Sequence, residues 1–513
     1  MKEMKETKKN ENMKQIRILL SIIALLMATT TYAGIEPTSG RYIESNTDLS
    51  IKVIGGQVTW KRDYRDRQWR FNRSWESLIL THDITTGNVE SIQRANDLYR
   101  KLDSAGTVFT FGKRAFIRKQ TDGTWLWKDR DGNSTSYDAN GKTLRMDSLG
   151  GAFITLMYNG DNKLSGAKDV HGTQVLWIEY DLISGKISKA RDYGNREINY
   201  TWQAVNNTTS PVRYKLTNIK DARGYDWQYA YAGTAARDGR VDVISRTDPE
   251  GRTMAITYSG SGRASRITNA LGHITSYQFD YIASRKEFYL KTSYPGGRVT
   301  ETFYERDGEV KKRIINNITI ITITEDLNTD IEKDTFGRTT TKQYDEFKNL
   351  RKTTYPDGTS TSTSYDITNS NILTSTDERG TITKYQYWPN GRLKKMIEAL
   401  GTSVERSTEY TYDTYGQMLT MTQVGDAVTA TAITQYFYDN KGNVTKIIDA
   451  ELNERQYTSY DSQGNNLIML DGRGNSWTSS YDAHGNQTSN KNPLNEETTN
   501  TYDKVGNLIK ITY

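Results

Sequence analysis

Hydrophobic and polar residues alternate along most of this chain in short runs, and turns rich in glycine, asparagine and aspartate separate the runs. Ser476–Tyr481 and Val444–Ile448 are typical runs. A period of two puts every second side chain on one face of a β-strand. Glycine supplies the positive φ that tight hairpins need. The pattern therefore predicts an all-β chain of hairpins with little helix.

A tyrosine, in most units followed by aspartate or asparagine, recurs at a nearly constant interval. The interval is 21 to 22 residues from Tyr438 to Tyr502 and from Tyr137 to Tyr180, and it loosens between 200 and 310, where three tyrosines keep steps of 23. The members are Tyr137, Tyr158, Tyr180, Tyr258, Tyr281, Tyr304, Tyr344, Tyr365, Tyr387, Tyr412, Tyr438, Tyr460, Tyr481 and Tyr502. Such a period predicts one repeated supersecondary unit.

Each unit has parts with physical reasons. We expect the aspartate carboxylate after the tyrosine to accept an N–H two residues on. A glycine follows, as in Gly442-Asn443, and a second turn, such as Asp471–Asn475, precedes the returning strand. We also expect the tyrosine of one unit to stack on that of the next. Because one hairpin cannot bury its apolar face, stacked neighbours should complete the core.

The motif Tyr-Asp-x-x-Gly-Asn, then a strand, then Asp-x-x-Gly-Asn, resembles the YD repeat of the Rhs (rearrangement hotspot) family. The resemblance covers residues of about 120 to 513, and the turns Tyr294–Gly297 and Tyr355–Gly358 are similar to turns of that family. It implies a hairpin array that spirals into an open or partial β-shell. In larger family members the shell encloses a toxic C-terminal segment, and polysaccharide binding has been attributed to such repeats.

Two departures from the family pattern shape our expectation. The family shell ends in a segment with Asp-Pro-x-Gly followed by a toxin, whereas Asp248-Pro249 occupies an ordinary repeat turn here. The sequence then stops within a strand pattern at Tyr513, which would leave an unpaired sheet edge. We expect a truncated member, a split gene, or a chain completed by a downstream Rhs or toxin polypeptide, without a toxin of its own.

The N-terminal part divides into two predicted segments. Residues 1–33 resemble a secretory signal peptide, because Lys14 and Arg17 precede an apolar run of about 11 residues, too short to span a bilayer, and a cleavage site after Ala33. Met1 and Met13 both remain candidate starts. We therefore predict a bacterial protein that is secreted or held in the cell envelope, with no membrane span after cleavage.

Residues 34–118 lack the period and should form a small aromatic-rich β segment before the repeats at 119–513. Its three tryptophans stand among charges of both signs, and the segment is open to two interpretations. One is a docking or cap domain, or an aromatic-lined sugar site; the other is a β-layer with tryptophans packed on the first repeats and charges facing water. The residues are Trp60, Lys61, Arg62, Asp63, Arg65, Asp66, Arg67, Trp69, Arg70, Arg73 and Trp75.

One further segment of the repeats has a distinct pattern. Ile314–Thr324 is strongly β, and its alternation changes phase between Ile320 and Ile321. A phase change moves side chains to the other face of a strand. This predicts a bulge or strand switch there.

The chemistry-bearing residues predict no catalytic, cofactor-binding or metal site. The chain has no cysteine, so disulfides, a cysteine nucleophile and thiolate metal sites are excluded. Its four histidines, His82, His171, His273 and His484, have no ligand spacing, and three of them adjoin turn glycines. The aspartates occupy turn positions and match no calcium-binding repeat. We therefore predict a non-enzymatic protein.

Charge and aromatic residues bear on partners. The net charge is +6, and about +3 remains without residues 1–33, so no nucleic-acid footprint is present and no nucleic-acid partner is predicted. The partner should be a downstream polypeptide or a polysaccharide. A shell predicts tyrosine and isoleucine facing a cavity, whereas a sugar-binding module predicts tyrosine or tryptophan ladders exposed to solvent. A nonfunctional remnant of a fragmented gene is a third interpretation.

Overall fold

The computed structural model describes residues 32–95, 97–111, 115–149, 151–205, 212–233, 240–305, 308–326, 328–366, 371–426 and 429–513. These residues form β-strands joined by turns, with two short 3-10 turns and no α-helix among them. The all-β prediction is confirmed. Within the same residues there is no helix long and apolar enough to cross a membrane.

The predicted signal peptide falls almost entirely outside the described residues. Residues 1–31 are not described, and Tyr32 and Ala33 form the start of the first strand. The cleavage after Ala33 stays a prediction.

A small antiparallel sheet, which we call the N-terminal sheet, comprises the first four strands. They are β1 (Tyr32–Ile35), β2 (Tyr42–Val53), β3 (Gly56–Arg65) and β4 (Gln68–Phe71). Buried and less buried residues alternate along β2 and β3, as expected where one strand face packs on protein. Leu49 of β2 lies opposite Trp60 of β3, and both side chains are fully buried.

The remaining strands form one long antiparallel sheet in chain order. Its first half consists of β5 (Ile79–His82), β6 (Val89–Arg94), β7 (Asp97–Lys101), β8 (Val108–Phe111), β9 (Ala115–Lys119), β10 (Trp125–Asp129), β11 (Ser134–Tyr137), β12 (Thr143–Asp147), β13 (Phe153–Tyr158), β14 (Leu164–Lys168), β15 (Gln174–Tyr180), β16 (Ile187–Asp192), β17 (Glu197–Ala204), β18 (Tyr214–Lys220), β19 (Asp226–Tyr231), β20 (Val243–Thr247), β21 (Thr253–Tyr258), β22 (Ala264–Thr268), β23 (Ile274–Ile282) and β24 (Glu287–Ser293).

Its second half consists of β25 (Val299–Tyr304), β26 (Val310–Ile315), β27 (Ile318–Asp326), β28 (Thr329–Asp334), β29 (Thr339–Tyr344), β30 (Leu350–Thr354), β31 (Ser360–Tyr365), β32 (Ile372–Thr376), β33 (Ile382–Tyr387), β34 (Leu393–Glu398), β35 (Arg406–Tyr412), β36 (Met418–Val424), β37 (Ala432–Tyr438), β38 (Val444–Ile448), β39 (Glu454–Tyr460), β40 (Asn466–Leu470), β41 (Ser476–Tyr481), β42 (Gln487–Lys491), β43 (Glu497–Tyr502) and β44 (Leu508–Thr512).

Each strand of the long sheet pairs with its neighbours in sequence. In the described residues the register contains no pairing between β44 and β5, so the sheet is open. The predicted segment 34–118 spans both sheets, because its residues up to Phe71 belong to the N-terminal sheet and those from Ile79 onward to the long sheet.

The main hydrophobic core lies between the N-terminal sheet and the first part of the long sheet. From the N-terminal sheet it contains Ile51 and Trp60, and from the long sheet it contains Leu176, Leu216 and Val243, all fully buried. A second, smaller core holds Ile92, Phe109 and Tyr137. In the part of the chain that the structure describes, the second half of the long sheet is less buried, because no second layer of comparable depth covers it there.

Two kinds of turn alternate along the long sheet. The turns that follow the repeat tyrosines, and the other turns on the same edge of the sheet, are called tyrosine turns. The turns on the opposite edge are called return turns. Both use the same hydrogen bonds: at Asp439 one carboxylate oxygen accepts the N–H groups of Lys441 and Asn443, each at 2.8 Å. Gly442 has a φ of 81°. The predicted carboxylate cap and positive-φ glycine are confirmed.

Many of the repeat tyrosines share one contact that the sequence did not predict. They donate the hydroxyl to a carbonyl at or near the start of the strand immediately before their own, as Tyr258 of β21 does to Val243 O of β20 at 2.7 Å. Tyr180 bonds Leu164 O at 2.8 Å and Tyr387 bonds Ile372 O at 2.7 Å. Burial raises the pKa of Tyr180 to about 12. Trp202 donates its indole N–H to Ile187 O at 2.7 Å and takes a tyrosine's place where the period loosens.

The expected stacking of successive repeat tyrosines stays a prediction, and the structure shows a different contact at the rings of Tyr158 and Tyr180. A lysine near the start of the preceding unit lies against the ring instead. Lys142 Nζ is 4.5 Å from the Tyr158 ring centroid, and Lys163 Nζ is 5.2 Å from that of Tyr180. These are cation–π distances, so each lysine covers part of a repeat tyrosine ring.

A β-bulge recurs beside the repeat tyrosines. The register shifts between Thr257 and Tyr258, and equivalent shifts stand beside most other repeat tyrosines. Bulges bend and twist the strand that carries them. A bulge placed at the same edge in unit after unit therefore curves the whole sheet in one direction.

The phase change predicted in Ile314–Thr324 is confirmed as a bulge. Arg313 lies opposite Ile321 and Ile314 opposite Thr319, which leaves Ile320 as the extra residue. The segment also contains a turn at Asn316 and Asn317, whose φ angles are 47° and 66°. It is therefore a hairpin and not one strand.

We expect Tyr258→Phe to destabilise its hairpin locally by about 1 to 2 kcal/mol, because it removes a donor from the Val243 carbonyl. Hydrogen exchange of the β20 and β21 amides measures this, since repeat arrays open locally. Tyr281→Phe is the matched control, because the Tyr281 hydroxyl has no hydrogen-bond partner among the described residues and its side chain is 46% exposed. Equal exchange in both variants would contradict the role of the hydroxyl.

Candidate functional site

The long sheet turns back on itself, and residues far apart in sequence meet along a line that we call the seam. We call residues 130–252 the first coil and residues 345–507 the second coil. Return turns of the first coil contact tyrosine turns of the second coil. The Arg130 guanidinium lies 3.7 Å from the Phe347 ring centroid, and Arg392 donates to Leu149 O at 2.7 Å. The distances follow from curvature, because strand pairing in this sheet is local.

The seam continues with aromatic contacts in its middle. The rings of His171 and Tyr415 meet edge to face with centroids 5.4 Å apart. Further along, Tyr193 donates its hydroxyl to Ser462 O at 3.1 Å, and Lys441 Nζ lies 4.4 Å from the Tyr193 ring centroid.

The last part of the seam is charged. Arg223 lies 3.6 Å from a carboxylate oxygen of Asp482 and donates to the carbonyl of Asp503 at 3.4 Å. Glu250 accepts the backbone N–H of Lys504 at 2.7 Å. These contacts link return turns to tyrosine turns across more than 250 residues of chain, so they close one coil against the next.

Arg196 joins three parts of the molecule at the seam. Its guanidinium pairs with Asp192 in its own turn at 2.6 Å and donates to Ala483 O of the second coil at 3.2 Å. It also donates to Ser50 O of the N-terminal sheet at 2.6 Å. Ser462 Oγ completes the junction through a 3.1 Å bond to Asp192. Both members of the Arg196–Asp192 pair are largely buried, and the extra hydrogen bonds offset their desolvation.

Gly194 lies where the two coils approach each other closely. A Cβ placed on it would lie 2.2 Å from Ser462 Oγ, a distance that real Cβ atoms do not adopt. Its φ is not positive, so the glycine is required by the lack of space rather than by its backbone conformation.

One ion pair at the seam contains a histidine. His484 Nε2 lies 3.3 Å from Asp221 Oδ2, and both side chains are mostly buried. Burial alone would raise the pKa of Asp221, but the proximity of His484, the Tyr225 backbone N–H and Arg223 together hold it below its usual value. Asp221 is therefore ionised at neutral pH. Its carboxylate can accept the N–H groups of its own turn and contact His484 across the seam.

A buried polar network joins the N-terminal sheet to the first coil. Arg62 of β3 pairs with Asp48 of β2 at 2.9 Å and donates to the Tyr229 hydroxyl at 2.9 Å. The Tyr229 hydroxyl donates to Glu44 at 2.6 Å. The Tyr200 hydroxyl donates to Asp48 at 2.6 Å. Every group in this chain of contacts has a partner, which a buried charge needs.

The carboxylates of the network have opposite pKa shifts. Burial would raise the pKa of Glu44, but Arg246 and Arg62, with the Tyr229 and Tyr42 hydroxyls, lower it below its usual value. Burial raises the pKa of Asp48 in spite of its ion pair with Arg62.

For residues 34–118, the interpretation as a β-layer packed on the repeats agrees with the positions of the tryptophans but not with that of one charged residue. Trp60 donates its indole N–H to the Tyr200 hydroxyl at 3.0 Å, and Trp69 donates to Tyr231 at 2.9 Å. The expectation that the mixed charges face water is wrong for Arg62, which is 4% exposed. It faces the protein because β3 places it on the same side as the buried Trp60 and Tyr64.

A cleft of about 470 Å³ opens beside the tip of the β2–β3 hairpin. Trp75, Trp127, Arg94 and Met146 are among its lining residues. The Arg94 guanidinium lies 3.8 Å from the Trp127 ring centroid and donates to the Tyr137 hydroxyl at 2.8 Å.

The histidines have the turn positions that the sequence indicated, with two additional contacts. His171, His273 and His484 lie in turns, and His82 ends β5. His171 and His484 also contact the second coil. In the described part of the chain no group of three or more His, Asp or Glu side chains is arranged to hold a metal ion.

Sequence reasoning missed the seam and the Glu44–Asp48–Arg62 network. Arg196 and its partner Ala483 stand 287 residues apart, and no local signal marks such a pair. The one available hint was Gly194, which lies in a turn one residue before the position that glycine takes in the other repeats.

Comparisons with known proteins give limited information. No protein-family model matches the sequence, and no curated protein matches it. Among solved structures, the chain is similar to TcdB2–TccC3 without its hypervariable C-terminal region (13% identity, TM-score 0.36, 91% of this chain) and to TcdB2–TccC3–Cdc42 (12%, 0.38, 92%). It is also similar to the Photorhabdus luminescens Tc holotoxin pore with a TccC3 mutation (13%, 0.36, 93%). The chain spans about a quarter of those chains, and with these TM-scores the likeness carries no argument about its function.

We expect Arg62→Met to loosen the N-terminal sheet by about 3 to 5 kcal/mol, because Glu44 and Asp48 would keep buried charge without this partner. Hydrogen-exchange mass spectrometry of β2 and β3 measures the loss of protection. Lys61→Met is the control, since Lys61 is the exposed neighbour on the same strand. Wild-type protection in Arg62→Met would show that the network contributes nothing to the attachment.

We expect Gly194→Val to open the seam, because its side chain would overlap Ser462. Small-angle X-ray scattering should show a larger radius of gyration, and hydrogen exchange should increase at residues 461–465. Gly160→Val is the control, since Gly160 also lacks positive φ and a Cβ there meets no atom within 4 Å. A variant with the dimensions and exchange of the control would contradict the seam.

Proposed function

We propose that this chain is an exported, non-enzymatic part of a β-shell that encloses or presents a cargo, such as a toxic polypeptide encoded downstream. The observation that carries the proposal is the seam. Two coils of one sheet contact along it through residues as far apart as Arg196 and Ala483, which makes a continuous curved wall out of a local hairpin array. A continuous curved wall is suited to enclosing a cargo. A protein that only displayed a flat binding surface would not need one coil to be closed against the next.

The environment of the repeat tyrosines also supports a wall. A polysaccharide-binding ladder needs aromatic faces and hydroxyls available to the ligand. Here the hydroxyls of Tyr158, Tyr180 and Tyr460 donate to backbone carbonyls of their own sheet. Cations cover ring faces at Tyr158 and Tyr180. These tyrosines therefore serve the sheet.

A second candidate function is binding of a short saccharide at the cleft of about 470 Å³. The specific observation in its favour is an aromatic residue, Trp127, beside polar groups such as Asp129 and Thr135 in one concave site. Sugar sites combine aromatic faces with a few hydrogen-bonding groups.

The test is protease protection of the polypeptide encoded immediately downstream, coexpressed with this chain. We expect a stoichiometric complex in which the downstream product resists digestion with the wild-type chain. The product should become sensitive with Gly194→Val, which opens the seam, and stay resistant with the matched control Gly160→Val.

Equal digestion of the downstream product with and without this chain would overturn the shell proposal. The saccharide candidate would then be measured by glycan-array binding of the wild-type chain and of Trp127→Ala. Binding lost in that variant would support it, and binding that is unchanged or absent in the wild type would exclude the cleft.

A further inference from the structure

The third residue of the return turns recurs among the seam contacts of the first coil. In the first coil this position holds His171, Gly194, Arg223 and Glu250. Each of them contacts a tyrosine turn of the second coil. The seam therefore has a fixed polarity, in which return turns of one coil meet tyrosine turns of the next.

The same position is solvent-exposed and apolar in several later return turns. Leu271, Phe336 and Leu494 hold it with side chains 80%, 82% and 78% exposed. Leu452, at the neighbouring position of its turn, is 80% exposed. We call the edge formed by these four residues the return rim. Large apolar side chains repeated at turn tips along one edge are unusual for a solvated surface.

The tyrosine-turn edge of the first half of the long sheet also carries exposed apolar tips. Ile84, in the tyrosine turn after β5, is fully exposed, and Leu182 and Ile183 in the turn after β15 are 100% and 87% exposed. We call the edge formed by these three residues the tyrosine rim. The N-terminal sheet region reaches the same edge at other turns, near Gly141 and Gly262.

We propose that the return rim docks on the tyrosine rim of a second copy of this chain, which makes a head-to-tail stack. The two rims have the polarity of the internal seam, so such a contact continues an interface that the molecule already contains. Both rims bear aliphatic or aromatic tips, whose burial would drive the association. A contact between two different patches is heterologous, and it extends into a stack unless rotation closes a ring. This inference does not depend on a cargo.

Sedimentation velocity of the purified chain over a range of concentrations tests the stack. We expect dimers and larger species to grow with concentration. Phe336→Lys and Leu494→Lys should each weaken the association constant at least about tenfold, because each loses the burial of a large apolar side chain. Leu419→Lys is the control, since Leu419 is exposed on the sheet and lies outside both rims. Circular dichroism melting checks that all three variants remain folded.

Crosslinking tests the polarity, and the absence of native cysteine makes the experiment clean. Leu494→Cys and Leu182→Cys would be prepared separately, mixed and treated with a bismaleimide. Crosslinked pairs of one variant with the other should exceed pairs of either variant with itself. The proposal would be overturned by monomers at all concentrations, by an association that the rim variants leave unchanged, or by a preference for same-variant pairs. It would also be overturned by a monomer that binds only a different repeat polypeptide, which would assign the rim to that partner.

Discussion

The bulge beside each repeat tyrosine is the constraint on which the rest of this structure depends. A hairpin array pairs only neighbouring strands, so local pairing alone would extend the sheet without bringing distant strands together. An extra residue at the same edge of most units bends the sheet repeatedly in one sense. The tyrosine hydroxyl fixes that edge by bonding a carbonyl at the start of a neighbouring hairpin. The coils, the seam and the two rims all follow from this repeated bend.

The seam shows how small contacts hold a large curved sheet. Most of its individual contacts are modest, because they are single hydrogen bonds or cation–π contacts. Along the seam they act on coils that the backbone has already placed side by side, so little additional chain entropy is lost in forming each one. Arg196 differs from the other seam residues, because its largely buried guanidinium bonds to three separate parts of the chain.

The N-terminal sheet braces the first coil with both apolar and polar contacts. Trp60 and Leu49 supply the hydrophobic layer, while Arg62, Glu44 and Asp48 form a network that fails if one member is removed. Such a network favours one way of docking the sheet, because any shifted arrangement would leave charges buried without partners. Among the described residues, the second half of the long sheet has no such buried network. The seam holds it to the first coil, and the N-terminal sheet reaches it where the Lys52 N–H donates to Ser462 O.

The amino-acid sequence by itself determined the all-β class, the hairpin unit, the carboxylate caps, the turn glycines and the bulge at Ile320, because each is decided within about twenty residues of chain. It did not predict that Lys142 would lie against Tyr158 or that Arg62 would be buried, since both depend on which face meets another element. The tertiary structure alone decided the seam, the Arg196 junction and the separation of sealed from exposed rims. The physical reason is that these contacts follow from curvature summed over many units. The small bends of successive repeats add up and so determine which residues meet some 250 positions later. No local sequence pattern indicates this total curvature.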